Sequence, residues 1–138
     1  MFCDIGGGSL EIADVTRGQV GACESSPLGS LVLQDYADTK KDLAIYLKKS
    51  IEKLCYRSSV SSKNMYLVGG SFRAFAKIDM SLSNYPLKVL HEYRVTADQA
   101  MKTAQWLAKR NVSDFMNISD SSTERLALLP MTALVLIG

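Results

Sequence analysis

Histidine is almost missing from this chain, with a single copy, His91, in 138 residues. A histidine-based zinc site or a Ser/His/Asp triad is therefore not expected, and His91 reads as a structural residue near a turn. Cysteine is scarce as well. Cys3, Cys23 and Cys55 are odd in number and widely spaced, which suits neither a disulfide framework nor a CxxC metal motif and makes a reducing cytosol the default setting. Excess charge of one sign is also lacking: 16 basic and 14 acidic residues leave a net charge of +2, without a charged tail, so composition gives no argument for nucleic acid as a partner. No membrane association is expected either. The most apolar run, LALLPMTALVLIG from Leu126 to Gly138, is too short for a bilayer, contains Pro130 and reads as a buried helix. The start lacks the apolar segment of a signal peptide. Repeats and low-complexity stretches do not occur. What remains, 47% hydrophobic and 22% charged residues, is the composition of one soluble globular domain spanning 1–138.

Against that ordinary background one stretch stands out. DIGGGSLE, Asp4 to Glu11, places three consecutive glycines between acids, and a fold retains so costly a sequence where no side chain is tolerated. Met1 to Ile5 reads as a short strand entering the glycines. From Ser9 to Val15 the residues alternate, Leu10 and Ile12 facing one way and Ser9, Glu11 and Ala13 the other. Thr16-Arg17-Gly18-Gln19 has hairpin turn chemistry, with Val20 to Cys23 returning as the partner strand. The glycines thus lie in a strand–turn–strand.

After a loop holding Pro27 and Gly29, a helical stripe runs through Leu43, Tyr46, Leu47, Ile51, Leu54 and Cys55. Lys40, Lys41, Lys48 and Lys49 fall outside it; they read as a solvated face, with attraction of a polyanion as the competing reading. A serine-rich linker, Arg57 to Lys63, precedes a buried strand at Asn64 to Val68. Gly69-Gly70-Ser71 then opens a short helix through Phe72 and Phe75. Thr96 with Gln99, and Ser121 with Glu124, are capping-box patterns that open two further helices. Trp106 falls on the outer face of the first of these, where another surface would pack. The expected fold is α/β: a mixed sheet with one β-hairpin and flanking helices, both glycine turns leaving the ends of core strands, where open α/β sheets bind ligands.

Spacing eliminates two phosphate motifs. A P-loop needs GxxxxGK[ST], and no lysine follows these glycines. A dinucleotide fingerprint needs a third glycine where Glu11 stands, and a helix where a strand follows. An anion cradle built on a hairpin turn remains, with a tight structural bend as the plain alternative. In the cradle, glycine N–H groups can point at phosphate oxygens and Ser9 adds a hydroxyl. Asp4 at the strand end can hold a hydrated divalent cation. Glu11 shares a strand face with Ser9 and can orient a water or reach the metal through water. Phosphoryl transfer consists mostly of such positioning and charge neutralisation.

DIGGGSLE closely resembles the DxGGGSxE motif of the Ppx/GppA family of exopolyphosphatases and guanosine pentaphosphate phosphohydrolases. SSPLGSLVLQDY, LVGGSFRAFAKI, YPLKVLHEYRVTADQA and SSTERLALLPMTALVL are similar, in order, to later segments of that family, so the resemblance covers nearly the whole chain. It implies an actin-like (ribonuclease H-like) fold and Mg²⁺ or another divalent cation as cofactor. It also implies a terminal phosphoanhydride of polyphosphate or guanosine pentaphosphate as substrate, cleaved by water in a bacterial cytoplasm. The roles it implies are metal binding and catalysis at Asp4 and Glu11, and phosphate binding at Gly6, Gly7, Gly8 and Ser9. Gly69, Gly70 and Ser71 would add to phosphate binding as the second glycine contact, which faces adenosine in related kinases.

The family's first domain, with its own phosphate loop and an ESGxEA-type catalytic glutamate, has no counterpart here, nor has its closing LREG-like stretch. The expectation is a second domain alone. Its missing first domain would be its main partner, a homodimer would form at full length, and the fragment by itself would be inactive. Two alternatives stay open: an ATP-binding kinase-like or chaperone-like domain of the same superfamily, and a non-catalytic module that binds polyphosphate or nucleotide. Arg73 can reach a phosphate and Arg125 can orient loop backbone, but both read first as structural.

Overall fold

The alternation around Leu10 and Ile12 becomes the centre of a four-stranded mixed sheet. In a computed structural model of the chain, which describes residues 1–39, 42–58, 64–118 and 121–138, the strands are β1 (Phe2–Ile5), β2 (Leu10–Thr16), β3 (Gln19–Ser26) and β4 (Tyr66–Val68). Their order is β3-β2-β1-β4. β1 pairs antiparallel with β2 and parallel with β4. Cys3, Ile5, Leu10 and Ile12 point to one face and are buried, as a period of two dictates for a half-covered sheet. Phe2, Asp4, Glu11 and Ala13 share the other face. The β2–β3 hairpin turns at Arg17 (φ 53°) and Gly18 (φ 77°), the two positive values of a type I′ turn, and the pairing slips by one residue at Asp14.

These strands belong to the first of two compact units, Met1–Gly69 with Gly138; the second is Gly70–Ile137. Helices α1 (Ser30–Thr39) and α2 (Leu43–Ser58) complete the first unit. Leu47 and Leu54 of α2 are buried, the helix packs on β2 and β3, and Lys48 and Lys49 are exposed, as the stripe predicts. Lys40, Lys41 and most of the serine linker lie outside the described residues, as does the side chain of Cys55.

Two expectations are corrected in this unit. The segment after Pro27 is helical from Ser30 onward, so α1 was missed. Leu28 is buried just before the helix and Leu33 within it, and Gln34, Asp35 and Asp38 follow, too sparse an apolar pattern to register as a stripe. The strand at Asn64 to Val68 is shorter and less buried than its composition suggests. β4 has three residues, and Tyr66 (56%) and Val68 (38%) are exposed, because they pair with Phe2 and Asp4 and so share the sheet's open face.

The second unit is helical: α3 (Gly70–Leu82), α4 (Ala97–Ala108), a 3₁₀ turn (Val112–Asp114), α5 (Thr123–Ala127) and α6 (Leu129–Ile137). Ala74, Phe75 and Ile78 of α3 meet Ala104, Leu107, Phe115, Leu126, Leu129 and Ala133 in one buried cluster, each large side chain contributing about 1.5–3 kcal/mol by leaving water. α3 is thirteen residues long rather than short. Trp106 packs against this cluster, 6.4 Å from the Phe115 ring, with the Arg110 guanidinium 4.9 Å over its face. The surface expected to cover it is therefore the chain just beyond α4. Leu87 to Leu90 form no strand.

Thr96 caps α4, its hydroxyl accepting from Gln99 N at 3.2 Å. The reciprocal half of that box is absent, since the Gln99 amide donates instead to the carboxylate of Asp79 at 3.2 Å. At the second box the N-cap is Ser122, not Ser121, without a side-chain bond. The last apolar run divides into α5 and α6, with Pro130 in the first turn of α6, where its missing N–H is harmless. No helix among the described residues is long and apolar enough to cross a membrane.

Candidate functional site

β1 and β4 run parallel, with Asp4 level with Val68, so Gly6-Gly7-Gly8 and Gly69 leave the sheet at the same end. Asp4 also pairs across β1–β2 with Glu11. Directly opposed residues share a face with Cβ atoms about 4.5–5.5 Å apart, so both carboxylates rise from the sheet's open face, Asp4 half-buried and Glu11 exposed. The Ser9 hydroxyl donates to Glu11 Oε1 at 2.8 Å and fixes the rotamer of that acid. Gly69 has φ +91°, and a Cβ there would stand 2.2 Å from Asp4 Oδ1. The Asp4 side chain thus lies over Gly69, which must be glycine both for its backbone angle and for that contact. Next to Asp4, burial and then the Asp4 charge push the Cys3 thiol up to about 12, leaving it protonated and unreactive at neutral pH.

The glycine turn is closed by Gly6 N donating to Ser9 O at 2.9 Å. Its carbonyls face inward: Gly6 O accepts from Ser30 N at 3.0 Å, and Gly7 O from Leu31 N at 3.0 Å and Val32 N at 3.3 Å. A Cβ on Gly29 would stand 2.3 Å from Gly7 O and 2.4 Å from Gly7 C and Gly8 C. Gly7 is closely covered too, a Cβ there meeting Leu31 Cδ1 at 2.8 Å, whereas Gly8 has nothing within 4 Å and Gly6 only Ser9 O at 3.8 Å. The amides of Gly7, Gly8 and Ser9 make no backbone hydrogen bond among the described residues. Three adjacent free N–H groups on a turn, with room above Gly6 and Gly8, form a concavity suited to an anion.

A model of the Ppx/GppA phosphatase family matches residues 1–138. The chain belongs to that family. Among solved structures it is similar to an exopolyphosphatase-like protein (16% identity, TM-score 0.83), to the type II variant of the Aquifex aeolicus Ppx/GppA phosphatase (16%, 0.74) and to an exopolyphosphatase from Cytophaga hutchinsonii (15%, 0.78). Each likeness takes in at least 97% of this chain but only 46–47% of the other, so the chain spans less than half the length of these structures. The shared architecture is the α/β fold described above, a mixed four-stranded sheet with flanking helices. No curated protein matches the sequence.

Of the residues singled out from the sequence, Asp4, Gly6, Gly7, Gly8, Ser9, Glu11 and Gly69 gather at one end of the first unit's sheet. Gly70 and Ser71 open α3 in the second unit. There a Cβ on Gly70 would meet Arg125 Nε at 2.8 Å and Cζ at 3.1 Å, so the Arg125 guanidinium lies across the first residue of α3. No group of three or more His, Cys, Asp or Glu that could hold a metal occurs among the described residues. The Asp4–Glu11 pair still fits a hard cation, since Mg²⁺ keeps most of its water and binds through one or two carboxylates together with substrate phosphate.

Three residues were missed or undervalued in the sequence: Gly29, Arg125 and Asp79. The signal for Gly29 was present, as PLGSL places a glycine and a serine just before an apolar residue, the pattern of a helix start pressed on a neighbour. Asp79 also left a trace. It falls at i+4 from Phe75 on the buried stripe of α3, where a carboxylate demands partners.

Proposed function

We propose that this chain is the phosphate-holding half of a phosphohydrolase that removes the terminal phosphate of polyphosphate or guanosine pentaphosphate by attack of water. The observation that carries the reading is the row of unpaired amides at Gly7, Gly8 and Ser9, on a turn that opens beside the Asp4–Glu11 pair. Bound Mg²⁺ would supply charge neutralisation for the phosphate oxygens. Asp4 and Glu11 are the residues to hold it, and neither lies on the covered face of the sheet. The amides of Gly7, Gly8 and Ser9 bind and orient phosphate oxygens. Glu11, its rotamer set by Ser9, accepts a proton from the attacking water or holds that water in line. Gly69 lets Asp4 lie at the strand end, and Gly70 and Ser71 are proposed as a second contact to the substrate. The Ppx/GppA membership and the exopolyphosphatase neighbours support this substrate class.

The reading places half of the charge neutralisation in this chain, with the other half in the partner domain that the longer relatives' length implies. Phosphate release from polyphosphate or guanosine pentaphosphate by the full-length protein with Mg²⁺ is the test. Glu11→Gln is expected to lower that rate by about 10²–10⁴-fold, the usual contribution of a positioned acid or base. The 138-residue chain alone should release little. A full-length protein inactive on both substrates, or a Glu11→Gln variant with unchanged turnover, would refute the assignment.

A further inference from the structure

The free amides of the turn face outward for a reason that lies in α1. In a planar trans peptide the C=O of one residue and the N–H of the next point in opposite directions. Holding Gly6 O therefore aims the Gly7 amide, and holding Gly7 O aims the Gly8 amide. Both carbonyls are held by the first turn of α1, through Ser30 N, Leu31 N and Val32 N, and the Ser30 hydroxyl adds a bond to Gly6 O at 3.3 Å. The helix has its own first bond only at Leu33 N to Gly29 O. The three N–H groups before it, which every helix leaves over, are all engaged by the glycine turn. The positive end of α1 is thus directed at two carbonyls, not at a ligand.

We propose that Gly29 and the first turn of α1 are the positioning element of the anion site: by gripping the Gly6 and Gly7 carbonyls they turn the Gly7 and Gly8 amides toward the bound phosphate. The proposal deepens the phosphate-binding reading above and rests on it. Gly29 is required because the atoms its Cβ would strike, Gly7 O, Gly7 C and Gly8 C, are backbone and cannot rotate aside. Ser30 is required for its N–H, at a position buried to 1%, where water cannot replace the bond. Neither residue touches the ligand. Both act through the turn.

Two variants separate this role from general stability. Gly29→Ala forces the turn off α1. Ser30→Pro removes the N–H and hydroxyl that bond Gly6 O and sets its ring Cδ against that oxygen, so it too pushes the turn off α1, while the helix keeps a residue well suited to its first position. The probe is inorganic tripolyphosphate, titrated into ¹⁵N-labelled 138-residue protein while amide shifts are followed. The wild type is expected to show its largest shifts at Gly7, Gly8 and Ser9. Each folded variant should bind about tenfold more weakly, the equivalent of losing one charge-assisted hydrogen bond, with the Gly7 response lost in Ser30→Pro. If Gly29→Ala does not fold, Ser30→Pro decides alone. A Ser30→Pro protein with wild-type affinity and an unchanged Gly7 shift overturns the positioning role and leaves phosphate binding intact. A wild type whose turn amides ignore tripolyphosphate overturns the phosphate reading, and this proposal with it.

Discussion

Replacing Asp79 by alanine removes a carboxylate on which three side chains converge. Asp79 is fully buried in α3; the Tyr93 and Thr103 hydroxyls donate to its two oxygens, and Gln99 Nε2 adds a third bond at 3.2 Å. A hydrogen bond to a charged group contributes about 1.5–3 kcal/mol net, and a buried donor left without a partner costs about 1–3 kcal/mol. Tyr93 and Gln99 are only half-buried and can turn to water, whereas Thr103 is 2% exposed and cannot. The expected loss for Asp79→Ala is therefore about 3 kcal/mol, a sizeable fraction of the roughly 5–15 kcal/mol that holds a domain folded. Trp106 is the one tryptophan of the chain and packs on the second unit's core, so its emission during urea unfolding reports on that unit. Thr103→Val alone should cost less, about 1 kcal/mol, and the double variant should recover part of the Asp79→Ala loss, because it leaves no orphaned hydroxyl. An Asp79→Ala protein within about 0.5 kcal/mol of wild type, the range of an unremarkable surface change, would refute the reasoning.

The same cluster sets an alkaline limit. Burial first, then the bond to Asp79 and its charge, push Tyr93 up to about 12 from an ordinary 10. A raised folded value favours the protonated phenol, so its contribution is complete below pH 10 and is lost between about pH 10 and 12; Tyr93→Phe should flatten unfolding midpoints across that range. Gly69→Ala, at φ +91° and 2.2 Å from Asp4 Oδ1, is expected to cost about 1–3 kcal/mol for the backbone angle alone, measurable as a drop in denaturation midpoint. Gly8→Ala meets nothing within 4 Å and should unfold within about 1 kcal/mol of wild type, yet bind tripolyphosphate more weakly by intruding where the anion sits. A thiol reagent should label exposed Cys23 well before buried Cys3, as peptide mapping by mass spectrometry would show.

What the sequence disclosed follows from how local each cause is. The alternation of Leu10 and Ile12, the Thr16–Gln19 turn and the Thr96 cap depend on neighbours within four residues, and each appears where its pattern placed it. Gln99 departs from its pattern because its side chain turns to Asp79, twenty residues away, where its NH₂ donates to a buried carboxylate, and so it does not reach back to accept from the Thr96 N–H. α1 escaped notice because its start is fixed by Gly6 and Gly7, not by its own apolar stripe. The tyrosine and valine of β4 look like core residues until their pairing with Phe2 and Asp4 sets them on the sheet's open face. Asp4, Ser9 and Glu11 were readable as neighbours because antiparallel register and a period of two are local rules. The approach of Gly29 to the turn was not, since no local rule joins residues twenty-two positions apart.

That approach separates the glycines of DIGGGSLE by purpose. A run of three suggests one reason shared by all, a ligand pressed against bare backbone. Instead Gly7 is bare because Leu31 covers it, and the space above its carbonyl is taken by Gly29. Gly6 and Gly8 are bare toward open space. One glycine of the triplet therefore serves the packing of the turn on α1, and the two beside it leave the space that the proposed anion would take. The division is useful because the two classes fail differently: a side chain at Gly7 or Gly29 moves the turn and shows in stability and in amide direction, whereas one at Gly8 leaves the fold and blocks the site. Stability and affinity measured on the same set of variants would thus locate the anion without a ligand-bound structure.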